Sequence, residues 1–81
     1  MKIHNFCRHK TVGWEGIIFE DDSGTVYITN GLGLWEKNEK RLAGLDLVQS
    51  IDLPRLYTDL ERYICNNALM DLLRATYSNE L

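Results

Sequence analysis

The sequence lacks the features that mark several large classes of protein. It has two cysteines, Cys7 and Cys65, far apart in the chain, and nothing in their placement suggests secretion, so we expect reduced thiols. No apolar run approaches the roughly 20 residues of a transmembrane helix. Polar and charged residues follow Met1, where a secretory signal would place an apolar stretch. These absences predict a cytoplasmic protein without membrane association.

Basic charge is also scarce. Nine Lys and Arg residues against 12 Asp and Glu residues give a formal net charge of −3. The basic residues of segment 36–41 are mixed with glutamates, and only the first ten residues are mildly basic. Proteins that bind nucleic acid directly usually carry a basic face. We therefore do not expect direct nucleic-acid binding.

The length and composition indicate one small globular domain. The chain has 81 residues, of which 44% are hydrophobic and 26% charged, which is too apolar for disorder. A fold of this size buries only about 60% of its chain surface. We predict a single domain over residues 1–81 that is marginally stable alone or is helped by a partner.

The stretch from Trp14 to Asn30 predicts a β-hairpin around which the chain is organised. Two segments rich in β-branched and aromatic residues flank a cluster of turn residues that ends at Gly24. A loop with an even number of residues would gather four apolar side chains on one face, namely those of Ile17, Phe19, Val26 and Ile28. An odd loop would set Phe19 beside Tyr27 and mix polar and apolar side chains on both faces. We therefore predict the even register, with Tyr27 on a polar face.

Two further segments have the alternation of strands, and the last third of the chain is helical. Residues 2–8 and 45–51 are the strand candidates, and Glu36 to Arg41 reads as a solvated connector. The predicted fold is α+β, with an antiparallel sheet of three or four strands packed against a C-terminal helical segment. One apolar stripe at four-residue spacing should lie on the sheet: Leu56, Leu60, Ile64, Ala68 and Leu72.

The polar stripe of this helical segment shifts by one position at Asn66-Asn67. Either the helix is kinked or broken there, or one straight helix turns Met70, Leu73 and Tyr77 outward. Asparagine favours helix ends over helix interiors, which favours a break.

No motif indicates catalysis or a cofactor. The candidate metal ligands are His4, Cys7, His9 and Cys65, but the spacing His4-x2-Cys7-x-His9 does not match the tight ligand pairs of structural zinc sites. Cys65 falls in mid-helix and is expected to pack there, so a Cys–His nucleophile is not predicted. The two glycines at 31 and 33 are not followed by the Lys-Ser/Thr of a phosphate loop. We therefore expect no enzyme, no metal and no cofactor.

What remains is binding to another protein. Acidic, aromatic and apolar side chains at the surface are the residue types that bind partners, and acidic clusters steer association with a basic partner surface. The predicted partner-binding residues are Glu20, Asp21, Asp22, Tyr27, Trp35, Met70, Leu73 and Tyr77.

In size, acidity and absence of an active-site motif, the chain resembles the small phage-encoded inhibitors of bacterial defence, such as anti-CRISPR proteins. The resemblance rests on these general properties and covers no specific motif. It implies a protein that blocks a larger, nucleic-acid-binding protein by occupying its basic groove. Two other hypotheses stay open: a homodimeric regulatory or structural protein that uses the helix patch on itself, and a small protein with a zinc or thiol site.

Overall fold

The computed structural model describes residues 1–63 and 67–80, with side chains up to residue 76. The described part contains five strands and three helices, in the order β1 (Lys2–His9), β2 (Glu15–Glu20), β3 (Val26–Thr29), β4 (Leu34–Glu36), α1 (Glu39–Ala43), β5 (Leu45–Val48), α2 (Leu53–Tyr63) and α3 (Asn67–Glu80). This arrangement confirms the predicted α+β fold. The sheet has five strands rather than three or four.

The strands form one antiparallel sheet in the order β4-β3-β2-β1-β5. The unpredicted strand is β4, and its approach depends on a turn built by side chains. Asn30 Oδ1 accepts the N–H groups of Leu32 and Gly33, and the Thr29 hydroxyl donates to the Gly33 carbonyl at 2.7 Å. Gly31 adopts a φ of +89°, a conformation that favours glycine. The chain thereby reverses and places β4 beside β3.

The segment predicted to be a solvated connector is partly ordered into α1. Asn38 is its N-cap, because the Asn38 side chain accepts the N–H of Arg41 at 2.8 Å. The prediction was right about exposure, since α1 has no buried residue. It was wrong about the absence of regular structure, because the cap and the end of β4 lie within the same charged stretch.

The register of the central hairpin differs from the prediction. Phe19 lies opposite Tyr27, and Ile18 lies opposite Ile28, so the even register is wrong. The loop of residues 21–25 has an odd number of residues and is organised by Asp21, whose carboxylate accepts the N–H groups of Ser23 and Thr25. The prediction assumed that only one face of the sheet is buried, whereas both faces bury apolar side chains.

One face of the sheet, here called the helix face, packs against α2 and α3. Ile17 and Phe19 are 0% and 1% exposed there. The helices contribute five buried leucines to the same cluster: Leu53, Leu56, Leu60, Leu69 and Leu73. The other face, here called the tryptophan face, has a smaller buried cluster of Cys7, Ile18, Ile28 and Leu45, with Trp14, Val26 and Leu42 packed against it. Among the described residues, two long helices therefore cover one side of the sheet, whereas α1 and aromatic side chains cover the other.

The C-terminal segment consists of two helices. α2 ends at Tyr63 and α3 begins at Asn67, and residues 64–66 lie outside the described part of the chain. The Arg74 guanidinium of α3 donates to the Tyr57 hydroxyl of α2 at 2.6 Å, so the two helices lie side by side, which confirms that the segment is not one straight helix. No helix in the described part of the chain is long and apolar enough to cross a membrane.

The predicted apolar stripe holds for α2 and fails for α3. Leu56 and Leu60 are buried as expected, but Ala68 is exposed, Leu72 is half-buried, and the buried residues of α3 are Leu69 and Leu73. A helix that starts anew after a break is free to turn about its own axis, so the spacing of α2 does not carry into it. Ile64 and Asn66 lie outside the described residues.

Candidate partner-binding face

Two stacked tryptophans dominate the tryptophan face. Trp35 lies on β4 opposite Ile28, and Trp14 immediately precedes β2. Their ring centroids are 6.1 Å apart with planes inclined by 20°. Trp35 remains 37% exposed although it is large and apolar. A partly exposed aromatic pair is typical of a binding surface, because such rings bury much area at little conformational cost.

The strand under the Trp14 ring carries a glycine for a steric reason. A Cβ atom at Gly16 would collide with the Thr29 carbonyl oxygen and lie 3.1 Å from the Trp14 ring. Gly16 therefore allows β3 to approach β2 closely and lets the indole lie over the sheet. The Trp14 indole can take this position because residue 16 has no side chain.

The ring of His9 also packs against Trp14 and extends the aromatic surface. Its ring centroid is 5.4 Å from that of Trp14. Its Nδ1 accepts the backbone N–H groups of Thr11 and Val12 at 3.2 and 3.1 Å. Since Nδ1 is an acceptor, the proton of the neutral ring lies on Nε2. The turn after β1 thus holds the ring in one orientation and leaves an N–H donor on the side of Gly44.

An open cavity of about 490 Å³ lies between these rings and α1. Its floor is apolar, with Ile28 and Leu45, and its rim carries Lys40 and Arg41 from α1. The Arg41 guanidinium donates to the Glu36 carbonyl at 2.8 Å, which holds it at the end of β4. Within the described residues, neither Lys40 nor Arg41 makes an ion pair. No aspartate or glutamate among the described residues lines the cavity.

The predicted acidic residues lie together at the other end of the hairpin, but each has an intramolecular partner. Glu20 lies 2.9 Å from His4 Nε2, and Asp22 lies 2.6 Å from the amino group of Met1. Asp21 is the acceptor that organises the hairpin loop, and the hydrogen bond from the Ser23 hydroxyl, with backbone N–H groups, lowers its pKa. Asp21 is therefore a structural residue of the turn.

The other predicted partner-binding residues are separated by the fold. Tyr27 is half-buried on the helix face, where its ring stacks on Phe19 at 5.7 Å, so its placement on a polar face is wrong. Leu73 is 1% exposed and belongs to the core, so the expected outward apolar patch is wrong at this position. Met70 is half-buried and packs against the same core. The side chain of Tyr77 lies outside the described residues.

The metal and thiol candidates that the structure describes do not form a site. Among the described residues, no group of three His, Cys, Asp or Glu side chains is placed to hold a metal ion. Cys7 is fully buried, and this burial raises the pKa of its thiol to about 11, against a smaller lowering by a hydrogen bond from the Gly16 backbone. The thiol is protonated at neutral pH and packs as a small apolar group. Cys65 lies outside the described residues.

Comparison with protein-family models, curated proteins and solved structures finds no match. Of the predicted partner-binding residues, Trp35 lies beside the cavity, whereas Glu20 is on the same face of the sheet but opposite Val26 at the far end of the hairpin. His9, Lys40 and Arg41 were not predicted as partner-binding residues, and Trp14 was a candidate that the final predicted set left out. The sequence signal for Trp14 was its position at the border of the hairpin. Lys40 and Arg41 had no such signal, because only the tertiary fold brings α1 to the sheet.

Proposed function

We propose that this chain is a non-catalytic protein-binding module that recognises its partner with the tryptophan face. The observation that supports this proposal is the stacked pair of Trp14 and Trp35, half-exposed beside an open cavity on the less covered side of the sheet. Tryptophan is the residue type most enriched among binding hot spots, and such residues lie in pockets from which the partner excludes water.

The chemistry of the described polar groups supports the non-catalytic part of the proposal. The thiol of Cys7 is buried and has a raised pKa, which is the opposite of an activated nucleophile. The Nδ1 atom of His9 is occupied by two backbone donors. The same Nδ1 atom lies 3.2 Å from the Thr11 hydroxyl, so His9 is tied to the turn after β1 and its ring is held in one orientation.

A module of this kind would act by occupying a site on a larger protein. Inhibition of a nucleic-acid-binding complex, as in phage-encoded anti-CRISPR proteins, is one such action and stays a hypothesis. The acidic hairpin tip is the competing interface for a partner with a basic surface. Its three carboxylates have intramolecular partners, which is why we favour the tryptophan face.

The test compares two neighbouring residues of β4. Trp35 lies on the tryptophan face, and the adjacent Leu34, which is 46% exposed, lies on the other side of the same strand. Tagged parent, Trp35→Ala and Leu34→Ala proteins are used to capture proteins from a lysate of cells in which the chain occurs. The captured protein is then identified, purified and titrated against each variant.

We expect Trp35→Ala to weaken binding at least tenfold, or about 1.4 kcal/mol, and Leu34→Ala to leave it within about twofold. Circular dichroism and melting curves check that both variants are folded. Equal losses in both variants, or loss in Leu34→Ala alone, would contradict the proposal. Light scattering on the parent separates the homodimer hypothesis, in which a second copy would occupy the face.

A further inference from the structure

Resting on the proposed function, we infer that the tryptophan face binds an acidic segment of the partner protein, with an apolar side chain of that segment in the cavity. The rings and the cavity floor supply the apolar contact, and α1 supplies the positive charge. An acidic partner segment is the reverse of the basic partner surface expected from the acidic hairpin.

The apolar part of the segment follows from the floor of the cavity. Ile28 and Leu45 form this floor, and the indoles of Trp14 and Trp35 form a wall beside it. A cavity of about 490 Å³ has room for a leucine or phenylalanine side chain and part of its backbone. Burying one such side chain stabilises a complex mainly through the apolar area removed from water.

The acidic part follows from the rim. Lys40 and Arg41 are neighbours on α1, both line the cavity, and neither is neutralised by a carboxylate within the described residues. The Arg41 guanidinium is held by the Glu36 carbonyl, so it reaches a ligand with little further ordering. The N–H of His9 Nε2 lies near the same side of the cavity, next to Gly44. Three donors without a lining carboxylate complement a carboxylate-bearing segment.

The distribution of the remaining charge agrees with this orientation. The chain as a whole is acidic, with a net charge of −3, whereas Lys40 and Arg41 stand next to each other at the cavity. Elsewhere, Arg8 and Lys10 are paired with Glu15 and Asp46, at 2.7 and 4.0 Å. An acidic segment would be attracted to the rim and repelled by much of the remaining surface, which gives specificity for this face.

Single-stranded nucleic acid is the other anion that aromatic and basic side chains bind, and the geometry disfavours it. Base stacking needs a free aromatic ring face. The Trp14 ring is already stacked on Trp35 at 6.1 Å and has His9 tilted against it at 5.4 Å, so two other rings compete with a base for it. Two rim cations are also few for a phosphate backbone, whose binding depends on many such contacts.

Intrinsic fluorescence gives a direct assay, because the two tryptophans of the chain are Trp14 and Trp35. The full chain is titrated with three probes: a short synthetic peptide that alternates glutamate with leucine, the same peptide with lysine for glutamate, and oligothymidine. We expect saturable fluorescence changes with the glutamate peptide alone. Its affinity should fall as salt is added, since exposed charges are screened over about 10 Å at 0.1 M.

Two double variants reverse the same number of positive charges, one at the cavity rim and one elsewhere on the surface. Lys40→Glu with Arg41→Glu reverses the rim, and Lys2→Glu with Arg62→Glu reverses two exposed cations elsewhere. The rim variant should lose at least tenfold in affinity for the glutamate peptide, and the control variant less than threefold. Equal losses, or tighter binding of the lysine peptide or of oligothymidine, would overturn the inference, as would the absence of binding by any probe.

These outcomes are separable from the proposed function. If Trp35→Ala abolishes binding of the captured partner while the rim variant binds it like the parent, the tryptophan face is the interface and its partner is not acidic. If both variants bind the captured partner like the parent, the proposed function fails as well.

Discussion

The packing of Phe19 against Tyr27 provides a quantitative test of the hairpin register. The two residues lie directly opposite each other on β2 and β3, with ring centroids 5.7 Å apart and planes inclined by 29°. Ile28 is the next residue on β3 but points to the tryptophan face. A double-mutant cycle can therefore separate the observed register from the even register, in which Phe19 would share a face with Ile28.

The magnitude follows from burial and ring geometry. Phe19 is 1% exposed, so Phe19→Ala should cost about 3–5 kcal/mol, a large share of the 5–15 kcal/mol that stabilises a typical domain. The milder Phe19→Leu should cost about 1 kcal/mol, which keeps the variant folded. An aromatic pair contributes about 0.5–1.5 kcal/mol beyond its buried area, and this is the coupling expected between Phe19→Leu and Tyr27→Leu.

The assay is urea unfolding followed by circular dichroism for the parent, the single variants and the double variants. A small domain has a slope near 1 kcal/mol per molar urea, so a coupling of 1 kcal/mol shifts the midpoint by about 1 M. The control cycle pairs Phe19→Leu with Ile28→Val, and its effects should add to within about 0.5 kcal/mol. Coupling in the control cycle and none between Phe19 and Tyr27 would refute the register and the assignment of the two faces.

Three further predictions concern single positions. Gly16→Ala should destabilise the fold by about 3 kcal/mol, because the added Cβ would collide with the backbone of Thr29. Gly44→Ala is the control: its Cβ would lie 3.6 Å from the nearest atom, so the free energy of unfolding should change by less than about 0.5 kcal/mol. Thermal unfolding compares the two variants. In a Cys65→Ser background, Cys7 should resist thiol reagents until urea unfolds the chain. Because its pKa rises from 9.0 to about 11 on folding, stability should fall as the pH rises through this interval, and a Cys7→Val variant that falls equally would contradict the assignment. Folding lowers the pKa of Asp21, so its contribution to the stability of the fold is present at neutral pH and is lost as the pH falls through the folded-state pKa. Asp21→Ala should therefore lower the melting temperature at pH 7 and change it little in acid. A Tm unchanged at pH 7 would show that Asp21 does not organise the loop.

The role of Asp21 also limits how the acidic tip can be tested as an interface. Most surface substitutions change stability by less than about 0.5 kcal/mol, but reversal of all three carboxylates to lysine would include a residue that organises the loop. Asp21 accepts three hydrogen bonds within the loop, from Ser23 N–H, Ser23 Oγ and Thr25 N–H. A test of the acidic tip as an interface should therefore reverse Glu20 and Asp22 and retain Asp21.

Local patterns in the sequence predicted the elements that depend on near neighbours. The stripe of Leu56 and Leu60 identified the face of α2, because residues four apart lie on one side of a helix. The change of phase at Asn66-Asn67 indicated the break, since a helix cannot keep two phases at once. The alternation in residues 2–8 and 45–51 located β1 and β5. From these local signals the α+β fold could be predicted.

Only the tertiary structure decided which side chains share a face. Ile17, Ile18 and Phe19 are consecutive apolar residues, so they give no indication of register once both faces of the sheet are covered. The hydrogen bonds of the Asp21 carboxylate select the loop with an odd number of residues. The candidate site arises in the same way. Its tryptophans are 21 positions apart, and its cations lie on a helix whose position depends on the pairing of β4 with β3 and of β5 with β1. Such a site is a product of long-range pairing, and no local spacing encodes it.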